Sequence, residues 1–123
     1  MKHVATLVLA AGIALVTGAL QAQDAWPSRT ITFIVPYASG GYTDLVGRLT
    51  ARYVEKALGK PVIVESRPGA GGIVGTQAVA SAAPDGYTFC VCSVGAVSIA
   101  LFSQKVGYDP LRDLAPTLQT QKV

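Results

Sequence analysis

Three hydroxyl-bearing residues, Ser39, Thr43 and Ser93, stand just beyond apolar, β-branched stretches of the chain. In open α/β sheets ligands bind outside the carboxyl ends of the strands, and hydroxyls placed there either donate to an anion or attack an acyl group. Attack requires a neighbouring base. The sequence has a single histidine, His3, and Lys56, Lys60 and Lys105 fall on helix surface or loop. Without a base at hand the three hydroxyls read as binding groups. A secreted serine hydrolase using Ser39 or Ser93 is the lesser alternative.

The densest signal is the run Val35-Pro36-Tyr37-Ala38-Ser39-Gly40-Gly41-Tyr42-Thr43-Asp44. A buried strand over Ile31 to Val35 stops at a proline, two glycines follow, and a helical pattern opens at Thr43. First-turn amides have no intrahelical partner and carry the positive end of the helix dipole, so such a junction suits a carboxylate or phosphate. The run lacks the Gly-Lys-Ser/Thr ending of a nucleotide P-loop. Asp44 is awkward beside an anion, and its expected role is to hydrogen-bond backbone amides and hold the loop in shape.

A second cluster, Gly69 to Gly75, departs from the dinucleotide fingerprint. Val74 stands where the third glycine belongs, and Ser66-Arg67-Pro68 separates strand from glycines. It reads as a tight loop whose small residues let the next helix pack closely, with Arg67 expected to be solvated. Cys90 and Cys92 point to one side of an extended chain and read as two small buried thiols, not as a redox pair or metal site. No cofactor or metal is expected.

The elements that must position these residues follow from periodicity. The helix runs from Thr43 to Leu58, with Leu45, Leu49, Tyr53 and Ala57 as its expected inward stripe, Thr43 as its cap and Gly59 as its stop. Pro61 to Glu65 is a second strand, Ile73 to Ala83 a short helix, and Tyr87 to Ser93 a third strand. Strand, helix, strand, helix, strand predicts a parallel sheet with right-handed crossovers, and continuous apolar strands predict cover on both faces. Gly95 to Phe102 reads as a short helix, and Lys105 to Pro116 as a connector.

The first residues are not fold. Met1-Lys2-His3 is basic, Val4 to Leu20 is apolar and uncharged, and Gln21 to Asp24 is a polar exit, the order of a secretory signal peptide cleaved after Ala22. The apolar run is short of the ~20 residues of a membrane span, so no stable span is expected after cleavage. Nine Lys/Arg against seven Asp/Glu then remain, too mild a balance for nucleic-acid binding.

Taken together, "WPSRTITFIVPYASGGYTD", "GKPVIVESRPGAGGIVGTQAVASAAPDGYTF" and "YDPLRDLAP" resemble the Bug family, the extracytoplasmic solute-binding receptors of tripartite tricarboxylate transporters. The resemblance covers Trp26 to Pro116. It implies a periplasmic, non-enzymatic protein whose α/β lobe, a parallel-sheet three-layer structure, is one of two domains closing on a small carboxylate such as a di- or tricarboxylate or acidic amino acid. It also implies membrane subunits of the transporter as partners. Carried over by position, the guest-contacting residues are Tyr37, Ala38, Ser39, Gly40, Gly41, Tyr42, Thr43 and Asp44 on the first loop, and Ser93, Val94 and Gly95 on a second. Tyr42 stands where many members carry a small residue, so it narrows the pocket or stacks on a guest. Relative to the family pattern, residues 1–22 are a signal peptide, 23–116 part of the first domain, and 117–123 the start of the crossing to a second domain that is missing. The expected product is therefore a fragment, with a non-functional truncated chain or an edge-pairing interaction fragment as further alternatives.

Overall fold

A computed structural model describes residues 25–120. The signal peptide expected over 1–22 lies outside them, as does the end of the crossing expected over 117–123. Among the described residues no helix is long and apolar enough to cross a membrane.

Strand β1 (Ile31–Val35) is the centre of a three-stranded parallel sheet, flanked by β2 (Val62–Ser66) and β3 (Thr88–Cys90) in the order β2-β1-β3. Helix α1 (Tyr42–Leu58) joins β1 to β2, and α2 (Ile73–Ala80) joins β2 to β3. Ile31 and Phe33 point to the α1 side, where they pack with Ala51, Tyr87, Val54, Leu58, Val62, Val64 and Phe89. Phe33 and Phe89, paired across β1 and β3, meet edge-on with centroids 5.7 Å apart, a geometry that aligns ring edge with ring face. On the opposite face the fully buried Thr76 of α2 lies against Cys90 and Cys92. Helix, sheet, helix is the three-layer parallel α/β lobe that the element pattern predicts.

The inward stripe of α1 is a different one from that expected. Leu45, Leu49 and Tyr53 are 56%, 48% and 77% exposed, while Gly47 and Ala51 are buried, with Val54 and Leu58 packed beside them. Gly47 and Leu49 are about 200° apart around the helix, so one face excludes the other. Packing selects the small face: a Cβ on Gly47 would lie 3.0 Å from Val35 Cγ2 and 3.5 Å from Val91 Cγ2. The i+4 run of larger side chains stays outside because the helix sits too close to the sheet to admit them.

The start of α1 also differs. Gly41, extended at φ −79° and ψ 173°, is the cap, and no side chain caps the helix; its carbonyl accepts the Leu45 amide at 3.0 Å. Thr43 therefore lies within the first turn. The stop is as expected, with Gly59 left-handed at φ 64° and its amide returning to the Glu55 carbonyl at 2.9 Å.

β2 is displaced by one residue from its expected span, because Pro61 has no amide to donate and offers only its carbonyl, to Ile31. α2 ends at Ala80 instead of Ala83. β3 is much shorter than expected. Its ladder finishes with the Val91 amide on the Ile34 carbonyl, and Cys90 and Cys92 are joined in a disulfide with Cα atoms 5.2 Å apart. This corrects the reading of two free thiols: the chain leaves the extended conformation after Cys90, which brings the Cα atoms within bridging range. Reduction with dithiothreitol is expected to lower the unfolding free energy by about 1.5 kcal/mol, the chain-entropy value for so short a loop. Urea denaturation with and without reductant reads the change, and identical midpoints would refute it.

Beyond the bridge, Gly95–Ile99 forms a π-helical turn that continues into α3 (Ala100–Ser103), and Pro110–Asp113 forms α4. The connector thus holds a turn of helix, capped by Asp109 through the Leu111 amide. Tyr108 is buried and its hydroxyl donates to the Ala96 carbonyl at 2.5 Å, tying this segment to the turn after β3.

Candidate functional site

The residues named from the sequence gather at one edge of the sheet, the carboxyl end of its parallel strands. The loop from Pro36 to Gly41 leaves β1 and enters α1 there, and Ser93–Gly95 leaves β3 beside it. A direct hydrogen bond between the Tyr37 and Ser93 hydroxyls joins the two loops. Tyr37 also reaches the Gly71 carbonyl, at 3.5 Å. Tyr42, Ala38, Ser39, Gly40 and Val94 are exposed, and Thr43 and Gly95 are half-buried.

Asp44 is the exception. It is only 4% exposed and faces inward. Its Oδ2 accepts the Gly40 amide at 2.9 Å and Arg48 Nε at 2.9 Å, and Oδ1 accepts the Ser66 hydroxyl at 3.4 Å. Ser66 in turn accepts from Ser39 at 2.9 Å. The Arg48 guanidinium, with the Gly40 amide second, holds the Asp44 carboxyl below its ordinary range, against the opposing effect of burial. Asp44 therefore shapes the loop and does not present its carboxylate outward.

This network decides which amides remain for a guest. Gly40 donates to Asp44, and Gly41 donates to the Ala38 carbonyl at 3.4 Å. Among the described residues the amides of Ala38, Ser39 and Thr43 have no protein acceptor. The amide pool at this helix end is thus narrower than the loop sequence suggests. The hydroxyls of Ser39, Thr43 and Ser93 stand at the same edge, and among the described residues none is bonded to an amine or carboxylate. Such a site offers hydrogen-bond donors to an acceptor-rich guest. Among the described residues no His/Cys/Asp/Glu group could hold a metal ion.

Sequence reasoning misses three participants. Ser66 closes β2 in register with Val35, at the same sheet edge as Ser39 and Ser93, and the strand-end rule applies to it equally. Arg48 follows Asp44 by four residues, a spacing that pairs charges on a helix. Gly71 carries no such signal, because its contact with Tyr37 spans 34 positions. Arg67, expected to be solvated, pairs with Glu65 at 2.8 Å, both side chains being half-exposed. A groove of about 190 Å³, lined by Arg48, Ala51, Arg52, Glu55, Val62 and Val64, runs along α1 and β2.

This parallel α/β lobe, with its glycine turn and donor groups at the strand ends, matches the lobe of periplasmic binding proteins. Residues 46–122 match the profile of the tripartite tricarboxylate transporter family receptor (TctC), and the chain belongs to that family. It is 40% identical over 116 residues to BugT of Bordetella pertussis, an alignment covering 89% of this chain and 35% of BugT. Among solved structures it is similar to MatC (Rpa3494) of Rhodopseudomonas palustris with bound malate, at 44% identity and a TM-score of 0.65, over 72% of this chain and 30% of MatC. It is likewise similar to the periplasmic binding protein BugD, at 46% identity and a TM-score of 0.51, over 53% of this chain and 22% of BugD. The chain spans about a third of the length of the curated relatives it matches. The resemblance to Bug receptors is therefore correct at the level of family and lobe.

Proposed function

We propose that the chain is a non-enzymatic solute-binding receptor, exported to the periplasm, that takes a small carboxylate such as a di- or tricarboxylate or an acidic amino acid for uptake. The first loop, Tyr37 to Thr43, and the second, Ser93 to Gly95, contact the guest, while Asp44 holds the first loop. The observation that carries the reading is the set of amides at Ala38, Ser39 and Thr43 with no acceptor among the described residues, beside the hydroxyls of Thr43 and Ser93. One carboxylate group offers acceptor positions for several such donors at once. Malate bound to MatC supports the same chemical class. The membrane subunits of a tripartite tricarboxylate transporter are the proposed partners, following the family's description.

The test is a thermal-shift and calorimetric screen with malate, citrate, succinate, glutamate, benzoate and a neutral sugar. A guest at a hundredfold its dissociation constant stabilises the fold by ~2.7 kcal/mol, so at least one carboxylate is expected to raise the midpoint while the sugar does not. Shifts from the sugar alone would refute the reading. Replacing Ser93 by Ala removes one donor and is expected to weaken the best carboxylate about tenfold, the value of one hydrogen bond to a charged group. Equal affinity in Ser93→Ala would take the second loop out of the site.

A further inference from the structure

The glycine loop before α2 reads from the sequence as mere packing, yet its geometry ties it to the binding edge. Gly72 is buried and left-handed at φ 99°. A Cβ built on it would lie 2.9 Å from the Tyr37 hydroxyl, 3.0 Å from Tyr37 Cζ and 3.2 Å from the Ala96 Cβ. The first two distances are to the phenol that bonds Ser93 and reaches the Gly71 carbonyl. The bare Cα of Gly72 is thus the floor on which the Tyr37 ring rests. Gly59, at the far end of α1, provides an internal contrast: it too is left-handed, at φ 64°, but a Cβ there would meet nothing within 4 Å.

We infer that Gly72 is a positioning residue for carboxylate binding, its missing side chain seating the Tyr37 phenol so that Ser93 presents its hydroxyl to the guest. This rests on the binding reading above and extends it to a third loop. The chemistry follows from counting protons. Tyr37 and Ser93 bring two hydroxyl protons to one shared hydrogen bond, and the single phenol proton chooses between Ser93 Oγ and the Gly71 carbonyl, which lies at the outer limit of 3.5 Å. When Tyr37 donates to Ser93, the Ser93 proton is released toward a carboxylate, an acceptor-only group, and each bond polarises the next. A phenol pushed away by a methyl group at position 72 breaks that order and leaves Ser93 unsupported.

The test uses isotope-labelled full chain in five forms: wild type, Gly59→Ala, Gly72→Ala, Tyr37→Phe and the Gly72→Ala/Tyr37→Phe pair. Each is titrated with malate while the resonances of the aromatic ring at position 37 and of the Ser93 amide are followed by NMR. Gly72→Ala is expected to move both sets of resonances and to weaken malate about tenfold. Gly59→Ala, with the same backbone handedness and open space but far from these loops, is expected to leave ring and affinity unchanged. In the Tyr37→Phe background the phenol oxygen is gone, so the further loss from Gly72→Ala is expected to fall below about threefold, a non-additivity reserved for groups in contact. Additive losses, or an unmoved Tyr37 ring in Gly72→Ala, would overturn the inference. If wild type binds malate no better than a sugar, the carboxylate reading fails and the resonances alone decide for or against Gly72. Should Gly72→Ala fail to fold, the pair is expected to fold, and its failure would count against the Tyr37 contact as the cause.

Discussion

Gly75→Ala is expected to destabilise the protein by roughly 3 kcal/mol, at the top of the range for overpacking. A Cβ at position 75 would sit 2.7 Å from the Arg67 carbonyl oxygen and 2.7 Å from both Cα and Cβ of Pro36. Two of those three atoms are backbone, and they belong to the segments leaving β2 and β1. No rotamer change relieves the overlap, so α2 must move off the sheet or the strand ends must part. The sign is diagnostic, because in an unobstructed helix the same substitution stabilises by about 1 kcal/mol. Gly47→Ala supplies the comparison. Its new methyl meets side-chain methyls of Val35 and Val91, which yield more readily, and the gain in helix propensity offsets part of the cost. Urea denaturation of the two variants against wild type measures the difference. Equal midpoints for Gly75→Ala and wild type would mean that the close approach of α2 to Pro36 is not a constraint on the fold. Since Pro36 begins the first of the two loops proposed to contact the guest, the same substitution is expected to weaken carboxylate binding as well.

The second large effect is on binding and on acid stability together. Asp44→Ala removes the acceptor of the Gly40 amide, of Arg48 and of the Ser66 hydroxyl in one step. The loop then keeps its glycines but loses what selects one of their conformations. Groups that support metal ligands command about ten- to a hundredfold in affinity, and an effect of the same order is expected here, because three separate segments converge on one carboxylate. Isothermal calorimetry with the best carboxylate from the screen measures it, and an affinity within about threefold of wild type would exclude Asp44 from that supporting role.

The pH dependence has a definite sign. The Asp44 carboxyl titrates below its ordinary value in the folded chain, chiefly through Arg48 and then through the Gly40 amide. Its contribution is therefore fully present above the unfolded-state value, about 3.9, and is lost as pH falls from there through the folded value. In that window the unfolded chain binds more protons, so stability rises with pH. Wild type is expected to lose stability on acidification below about pH 4 more steeply than Asp44→Asn, which has no carboxylate to protonate. Parallel acid-denaturation curves for the two would contradict the assignment.

How much of this is legible from residue order depends on the range of the interaction. The strands are legible because β-branched runs bounded by proline and glycine need only neighbours along the chain. The Gly59 stop is legible for the same reason, since a left-handed residue closing a helix is a local event. The inward face of α1 is not. Two stripes of α1 are apolar, and only the distance to Val35 and Val91 chooses Gly47 and Ala51 over Leu45 and Leu49. The disulfide escapes a reading of the sequence because a strand drawn through Cys90 to Ser93 keeps the sulfur atoms apart, and where a strand ends depends on partners elsewhere in the sheet.

The order of residues by itself determined the parallel α/β lobe, the family, and the glycine turn that opens α1, because each depends on patterns within a few residues or on motifs in sequence. Tertiary structure alone decided which amides of that turn remain open, by turning Asp44 inward to Arg48, Ser66 and Gly40. It also decided that Tyr37 would meet Ser93 and the glycine loop, contacts spanning 56 and 34 positions. The physical reason is common to both. Hydrogen bonds and van der Waals contact act over a few ångströms, and only the folded sheet brings distant segments within that reach.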